Sequence, residues 1–307
     1  MIDLHNHILH GLDEGPETLE ESLEMCRIGY DDGIRTIVAT PHVLKGVYEN
    51  SRTTILAALR ELNKTIGNRQ RAIGNGQFNP GQLSNAQLPN DSMTQLPNDS
   101  FSPSCPSPSA MSSSFPSDLS CPRSSPLVPL LGLNILPGAE VHLDSELLQD
   151  LRQDRLMTLG DGRRSLLVEF PSQTIPSQTE EVLFQLMAMR VKPIITHPER
   201  NLEIRKRPKR YYDMILSGCM GQVTGISLTG GFGPEVKRLA QKMLLHRLVH
   251  VIATDAHSAD GRPPILSEAV AAASKILGRE EAQRMVIEYP QAILEGRKPE
   301  VPRPISL

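Results

Sequence analysis

The amino-acid sequence predicts an α/β protein whose parallel strands close into one β/α barrel. Seven apolar, strand-like segments alternate with helix-like stretches, which is the order expected when helices pack outside a parallel sheet. Five of these segments end in histidines or carboxylates, and such side chains meet only if their strands share one open face. A Ser/Pro-rich middle segment interrupts the pattern, and roughly 240 residues remain without it, near the usual size of one barrel.

The predicted strands are short apolar runs bounded by turn residues or polar residues. They lie at residues 2–7, 35–40, 135–141, 165–170, 193–197, 222–226 and 250–254. After the first strand, Thr18 followed by Glu21 forms a capping-box pattern that opens a helix. Between Val236 and Leu244, apolar residues recur with the helical period and predict a later helix. One domain, residues 1–307, accounts for all of these elements.

The polar residues at the strand ends are of the types that bind metals. His5 and His7 share one face of a strand because alternate residues do so, and Asp255 and His257 repeat that spacing. A single pair of this kind is as compatible with a hydrogen-bonded core as with a metal site. Several such strand ends together favour a shared metal site. The candidate ligands are His5, His7, His42, Glu140, His197, Asp255 and His257.

The composition shows no bias toward nucleic acid or membranes. The net charge is −3, 22% of the residues are charged, and no apolar run approaches the length of a bilayer span. A basic run at residues 205–210 is more consistent with a solvated helix start than with a nucleic-acid contact. Ligands as early as His5 leave no room for a signal peptide, and the four cysteines show no paired spacing. The sequence therefore predicts a cytoplasmic protein.

The middle segment, residues 75–130, differs from the rest of the chain. It contains ten of the 25 prolines and repeats Gln-Leu-Pro-Asn-Asp-Ser at residues 87–92 and 95–100. Such a composition cannot bury enough apolar surface to offset the loss of chain entropy. We therefore expect a disordered insertion that the fold tolerates, while its serines leave a partner-binding role open.

The order of the motifs resembles the polymerase and histidinol phosphatase (PHP) superfamily. The shared motifs are Asp-x-His-x-His, Thr-Pro-His, Gly-Ala-Glu, His-Pro-Glu-Arg and Thr-Asp-Ala-His, at residues 3–7, 40–42, 138–140, 197–200 and 254–257. Within it, residues 10–16, 222–230 and 260–264 resemble the bacterial manganese-dependent tyrosine-protein phosphatases encoded with capsule and exopolysaccharide synthesis, the CpsB/YwqE type. The likeness runs from residue 1 to about residue 294. It implies a distorted (β/α)7 barrel, the PHP fold, with two or three divalent metal ions at its mouth.

This resemblance also implies how the ligands divide among the ions. The first ion would be held by His5, His7, Glu140 and Asp255, the second by Glu140 and His197, and the third by His42 and His257 with Asp13 or Glu14. The choice between Asp13 and Glu14 is open, because family members more often have a second aspartate at this point. Manganese is implied by the resemblance, whereas nitrogen and oxygen ligands suit iron or zinc equally well. Two interpretations of Glu169 stay open: it is a packed, hydrogen-bonded carboxylate, or it supports the site from behind the ligands.

Arg200 and Arg262 match the family arginines that would grip phosphate oxygens, and with His257 they form the predicted catalytic set. Phosphate monoester hydrolysis needs an activated water and positive charge around the phosphoryl oxygens, which metal ions and arginines supply. A tyrosine ester needs little help for its leaving group, because the tyrosine hydroxyl has a pKa of about 10. No cysteine is followed by an arginine six residues later, so a cysteine nucleophile has no candidate.

The sequence thus predicts a metal-dependent protein-tyrosine phosphatase. The resemblance implies that its phosphotyrosine substrate is an exopolysaccharide tyrosine autokinase. Two alternatives stay open: a small-molecule phosphatase acting on histidinol phosphate or nucleotides, and an inactive metal-binding regulator. Residues 13–16 and 260–264 favour the tyrosine phosphatase, and the intact ligand set argues against an inactive regulator.

Overall fold

The computed structural model describes residues 1–73, 130 and 132–306. The insertion predicted at residues 75–130 therefore lies outside the described residues, apart from its last residue. Cys26 and Cys219 are buried free thiols, and the other two cysteines lie outside the described residues. Among the described helices, none combines the length and the apolar character needed to cross a bilayer.

Nine strands and eleven helices are present in the described residues. The strands are β1 (Ile2–Asn6), β2 (Thr36–Ala39), β3 (His42–Val43), β4 (Asn134–Pro137), β5 (Glu140–His142), β6 (Ser165–Glu169), β7 (Lys192–Thr196), β8 (Met220–Thr224) and β9 (Val251–Ala253). The helices are α1 (Leu19–Asp31), α2 (Arg52–Ile73), α3 (Leu147–Arg152), α4 (Thr179–Ala188), α5 (Leu202–Lys206), α6 (Lys209–Leu216), α7 (Gly225–Thr229), α8 (Pro234–Leu245), α9 (Ser267–Leu277), α10 (Arg279–Arg284) and α11 (Glu288–Leu294).

The strands pair in parallel and form two sheets, in the orders β1-β2-β4 and β3-β5-β6-β7-β8-β9. Backbone hydrogen bonds connect the sheets just beyond the carboxyl end of β9. His7 N donates to Ala256 O at 2.9 Å, and Asp255 N donates to His5 O at 2.9 Å. The predicted α/β fold with parallel strands is confirmed, while closure into one seven-stranded barrel stays a prediction.

The register of the six-stranded sheet decides which side chains share a face. His42 pairs with Glu140, Glu140 with Leu167, and Leu167 with Ile194, which pairs with Met220. Paired residues of neighbouring strands point to the same side of the sheet. Leu167, Ile194 and Met220 belong to a small apolar cluster, so this cluster and two candidate ligands lie on one face.

The opposite face of the strands packs against the helices in a larger apolar core. The capping box predicted for α1 is confirmed, because Thr18 Oγ1 accepts from Glu21 N at 3.2 Å and the Glu21 carboxylate accepts from Thr18 N at 3.3 Å. The helix predicted around residues 236–244 is α8, and its buried side includes Val236 and Ala240.

Each predicted strand segment overlaps an observed strand, but two of the predicted segments were wrong in more than their end residues. Residues 135–141 form two strands, β4 and β5, because the chain passes from one sheet to the other at Gly138. There the backbone lies so close to β2 that a Cβ would come within 2.7 Å of Val38 Cγ1. α7 begins at Gly225, inside the segment predicted as a strand at residues 222–226. The two-residue strand β3 was not predicted, because two residues carry no periodicity.

We expect Gly221→Ala to lower the free energy of unfolding by about 1–3 kcal/mol, because the added methyl group overpacks β8. Its Cβ would lie 2.0 Å from Tyr211 Oη and 2.6 Å from Leu248 O, and the buried Tyr211 hydroxyl donates to that carbonyl. Urea-induced unfolding would measure the loss. Gly67→Ala in α2 is the control, since nothing lies within 4 Å of its Cβ and a gain of about 0.5–1 kcal/mol is expected. Equal stability of the two variants would contradict this packing.

Candidate metal centre

Four buried side chains converge where β1 and β9 end and where β5 begins, namely His5, His7, Glu140 and Asp255. His5 Nε2 lies 3.1 Å from His7 Nε2, 3.1 Å from Glu140 Oε2 and 3.5 Å from Asp255 Oδ1. His7 Nε2 lies 3.6 Å from Glu140 Oε2 and 3.5 Å from Asp255 Oδ1. Two imidazole nitrogens and two carboxylate oxygens therefore face one point, as a divalent cation requires.

Glu140 is shared with a second group, formed by His42 and Glu169. His42 Nδ1 lies 3.1 Å from Glu140 Oε2 and 3.4 Å from Glu169 Oε2. His197 approaches the other oxygen of Glu140, with Nε2 at 3.0 Å from Oε1, and stands 3.7 Å from Glu169 Oε1. Glu169 thus joins the cluster, and its position at the end of a predicted strand was the sequence signal for it.

A third group consists of His7, His42 and His257. The rings of His7 and His257 are stacked with their centroids 3.9 Å apart. His257 Nδ1 donates to the Asp255 carbonyl at 2.9 Å, which leaves Nε2 with its lone pair free to bind a cation. Glu14 Oε1 lies 3.1 Å from His42 Nε2 and 3.6 Å from His257 Nε2, so this carboxylate borders the third group.

Asp13 has a different position from Glu14. Its Oδ2 accepts from His7 Nδ1 at 2.7 Å and from His42 N at 2.9 Å, while Oδ1 accepts from Gly15 N at 2.9 Å. These hydrogen bonds occupy both oxygens of the Asp13 carboxylate, and the bond to Nδ1 directs Nε2 of His7 toward the cluster. A carboxylate bonded to the second nitrogen of a ligating histidine fixes the tautomer and the ring orientation.

Gln222 supports the cluster in the same way, and sequence reasoning missed it. Its Oε1 accepts from His5 Nδ1 at 3.0 Å and from His197 N at 3.4 Å. His5 therefore presents the lone pair of Nε2 to the centre. A glutamine in the interior of a strand carries no ligand signature, and the only available signal was a polar residue in an otherwise buried segment.

Backbone geometry aims two of the side chains. His197 and Asp255 are not glycines, yet they adopt positive φ angles of 31° and 52° at the ends of β7 and β9. Such conformations cost of order 1–3 kcal/mol each and occur mostly where a function requires them. Here each one turns the chain sharply as the strand ends, so that the side chain points into the cluster.

The residues present fit a metal cluster. Glu140 Oε2 and His42 Nδ1 are buried and have no hydrogen-bond partner in the described residues. Leaving a buried carboxylate oxygen unpaired costs several kcal/mol unless a cation compensates it. With only nitrogen and oxygen donors, the site suits manganese, iron or zinc, and nothing in it selects one of them.

The carboxylates of the centre are ionised. Burial opposes ionisation, but His5 and His197 hold the pKa of Glu140 well below its ordinary value, and His5 does the same for Asp255. Burial would lower the pKa of His42, but hydrogen bonds to Glu14 and Glu169 raise it to about 10. Without metal, protonated imidazoles therefore balance the buried negative charge.

Two arginines meet the cluster at its outer side. Arg200 Nη1 lies 2.7 Å from Asp255 Oδ2, and Arg262 Nη2 lies 2.5 Å from the same oxygen. The buried Glu199 carboxylate fixes the turn that carries Arg200, because it accepts from Ser227 Oγ at 2.6 Å and from Thr224 N at 3.0 Å. The two guanidinium groups thus stand side by side, as a phosphate clamp requires.

Phe232 lies against both arginines. The Cζ atoms of Arg200 and Arg262 are 4.7 Å and 5.6 Å from its ring centroid, within the range of cation–π attraction. Glycines on both sides of Phe232 have positive φ, 108° at Gly230 and 90° at Gly233, so the loop turns tightly around this one aromatic residue. Sequence reasoning missed Phe232, whose flanking glycines were the available signal.

Three further histidines, His10, His246 and His250, lie outside the cluster. His250 Nδ1 accepts from Gly221 N at 3.1 Å, and burial lowers the pKa of His250 to about 4. His246 Nδ1 donates to the carbonyl of Ser306 at 2.7 Å. His10 stands 3.9 Å from Glu61.

The fold and site together define a class: an α/β protein with parallel strands and a histidine–carboxylate cluster, flanked by two arginines, at the strand ends. Comparison with known families is consistent with this class. The chain belongs to the family described as "Capsular polysaccharide synthesis, CpsB/CapC", whose model matches residues 1–78 and 130–295. The unmatched interval falls within the predicted insertion.

Relatives of this family cover most of the chain. Tyrosine-protein phosphatase YwqE of Bacillus subtilis is 29% identical over 97% of this chain and 92% of its own. Putative tyrosine-protein phosphatase CapC of Staphylococcus aureus is 28% identical over 87% of this chain and 81% of its own. A structure from a study of YwqE and Streptococcus pneumoniae CpsB, described as unique metal-dependent tyrosine phosphatases, superposes with a TM-score of 0.77 at 28% identity, covering 100% of this chain and 99% of that one.

We expect the stabilisation by Mn²⁺ to grow as the pH rises from about 6.5 to about 8.5. Because the His42 pKa is raised to about 10, its protonation stabilises the metal-free fold fully below about pH 6.5 and progressively less above it. Metal binding needs the neutral imidazole, so affinity rises over the same interval. Calorimetry of Mn²⁺-loaded and EDTA-treated protein in oxygen-free buffer would measure the difference in Tm, and a constant or shrinking difference would contradict this account.

We expect Phe232→Leu to weaken binding of inorganic phosphate to the Mn²⁺-loaded protein by about five- to thirtyfold. The change removes two cation–π contacts worth about 0.5–1 kcal/mol each, while the side chain stays apolar. Phe232→Tyr keeps the ring and should bind phosphate like the unchanged protein. Titration calorimetry measures both, with metal content as the control. Unaltered phosphate affinity in Phe232→Leu would show that the ring does not hold the arginines.

Proposed function

We propose that the protein is a metal-dependent protein-tyrosine phosphatase. The observation that carries this proposal is the buried cluster around Glu140, with Arg200 and Arg262 beside it, in a chain of the CpsB/CapC family. The relatives that match along most of the chain are named tyrosine-protein phosphatases, and the similar solved structure is described as metal-dependent. Neither a small-molecule phosphatase nor an inactive regulator is favoured by these findings.

In this proposal nine residues form the metal site, as ligands or by orienting a ligand, and we add Glu169 to them. They are His5, His7, Asp13, Glu14, His42, Glu140, His197, Asp255 and His257, with Asp13 acting through His7 and Glu14 bordering the third group. Two or three divalent ions, Mn²⁺ by family resemblance, would supply an activated water and positive charge for the phosphoryl oxygens. A single domain with a (β/α)7 barrel completes the proposed architecture.

Arg200 and Arg262 are the proposed phosphate-binding residues. Both guanidinium groups contact the same oxygen of Asp255, so each keeps further N–H donors for an incoming phosphate. Their planar forks bind phosphate bidentately, which a lysine cannot do. Burial and nearby His7 lower the pKa of His257, which is therefore neutral at pH 7 and suited to metal binding.

The proposed substrate is a phosphotyrosine protein. A phenolate leaves easily because its conjugate acid has a pKa of about 10, so a site without a dedicated proton donor handles it better than an alkyl ester. By family resemblance the partner is a tyrosine autokinase of capsule or exopolysaccharide synthesis, in the cytoplasm. Nucleic acid and membrane insertion have no place in this proposal.

The decisive experiment compares three substrates on the Mn²⁺-loaded protein: a phosphotyrosine peptide, a phosphoserine peptide and histidinol phosphate. We expect turnover of the phosphotyrosine peptide, a kcat/KM at least about a hundredfold lower for the other two, and loss of several orders of magnitude in His42→Ala. His246→Ala, an exposed histidine outside the cluster, is the matched control and should keep full activity. Faster turnover of histidinol phosphate would support the small-molecule alternative, and no turnover at all would support the inactive regulator.

A further inference from the structure

A basic groove of about 430 Å³ lies between α5 and α8. The apolar side chains of Leu202, Pro208 and Leu239 line it together with charged residues. Four of these are cationic and one is anionic: Arg205, Lys206, Arg238, Lys242 and Glu235. Although the net charge of the chain is −3, this groove therefore carries a local excess of positive charge.

Most of the positive charge in this groove is uncompensated. Arg205 pairs with Glu235, and this ion pair ties α5 to the first turn of α8. Lys206, Arg238 and Lys242 are exposed and form no ion pair with any carboxylate in the part of the chain that the structure describes. Three unpaired basic side chains next to the apolar lining of the groove are suited to a ligand that has both acidic and apolar groups.

The helices that line the groove adjoin the elements that carry Arg200 and Phe232. α5 begins two residues after Arg200, and α8 begins two residues after Phe232. α8 also packs against the turn at Pro198–Arg200. A chain that places one side chain at the two arginines therefore reaches the groove with its neighbouring residues, since each extended residue spans about 3.3 Å.

We propose that this groove binds an acidic segment flanking the phosphotyrosine of the protein substrate, which selects acidic phosphoproteins over neutral ones. This inference rests on the proposed phosphatase function. The concave shape of the groove favours a peptide over a flat lipid surface. The cations act mainly on substrate capture, because they lie outside the cluster and touch no reacting atom.

The test compares two phosphotyrosine peptides of one length, with glutamates or with glutamines on both sides of the phosphotyrosine. Arg238→Glu/Lys242→Glu should raise KM for the acidic peptide about tenfold, equivalent to about 1.4 kcal/mol, with kcat nearly unchanged. For the glutamine peptide and for p-nitrophenyl phosphate, kcat/KM should stay the same. Lys275→Glu/Arg279→Glu, the same charge change on exposed residues of α9 and α10, is the matched control and should leave KM unchanged. If the charge-reversed protein is unstable, Arg238→Gln/Lys242→Gln replaces it with a smaller shift in the same direction.

Two outcomes would overturn the groove assignment. One is an unchanged KM for the acidic peptide in the groove variants, or an equal change in the control. The other is a loss of binding to phosphatidylglycerol vesicles, without an effect on peptides, which would assign the cations to a membrane surface.

Failure of the phosphatase function would look different. It would show as no turnover of any of these three substrates by the unchanged protein. Binding to the groove would then still be measured by fluorescence anisotropy, with an acidic peptide carrying phenylalanine in place of phosphotyrosine.

Discussion

The site depends on one buried carboxylate, Glu140, and on the cations that neutralise it. Its two oxygens lie 3.0–3.1 Å from nitrogens of His5, His42 and His197, which come from three separate parts of the chain. A buried, ionised carboxylate without compensation costs several kcal/mol. The chain segments that carry these histidines can therefore surround Glu140 only when protons or metal ions supply positive charge.

Because the charge of Glu140 must be compensated, the side chains around it are held in place by hydrogen bonds and ion pairs. Asp13 and Gln222 each hold the distal nitrogen of one histidine, and Asp255 engages both arginines. These contacts remove rotational freedom before any ion or substrate arrives, so less entropy is lost on binding. Glu140 Oε2 and His42 Nδ1 are the exceptions, and their lack of partners in the described residues marks where the cation belongs.

Many residues of the candidate site could be predicted from the sequence, because residue types and their spacing on one strand indicate which side chains can bind a metal. Paired residues such as His5 and His7 alternate on one strand, and carboxyl ends of parallel strands meet at one edge. The choice between Asp13 and Glu14 was not readable, since adjacent residues point in different directions and the partners are distant in sequence. The roles of Glu169, Gln222 and Phe232 were not readable either, because each side chain contacts a residue that is distant in sequence.

The sequence by itself determined the class of fold, the ligand types and the strands that carry them, because periodicity and spacing act over a few residues. Only the tertiary structure decided which atoms share a centre, where the two sheets divide at Gly138, and how α5 and α8 enclose a basic groove. Those features depend on strand register and helix packing between residues far apart in the chain. Their energies are sums over many contacts, and no short pattern of residues records them.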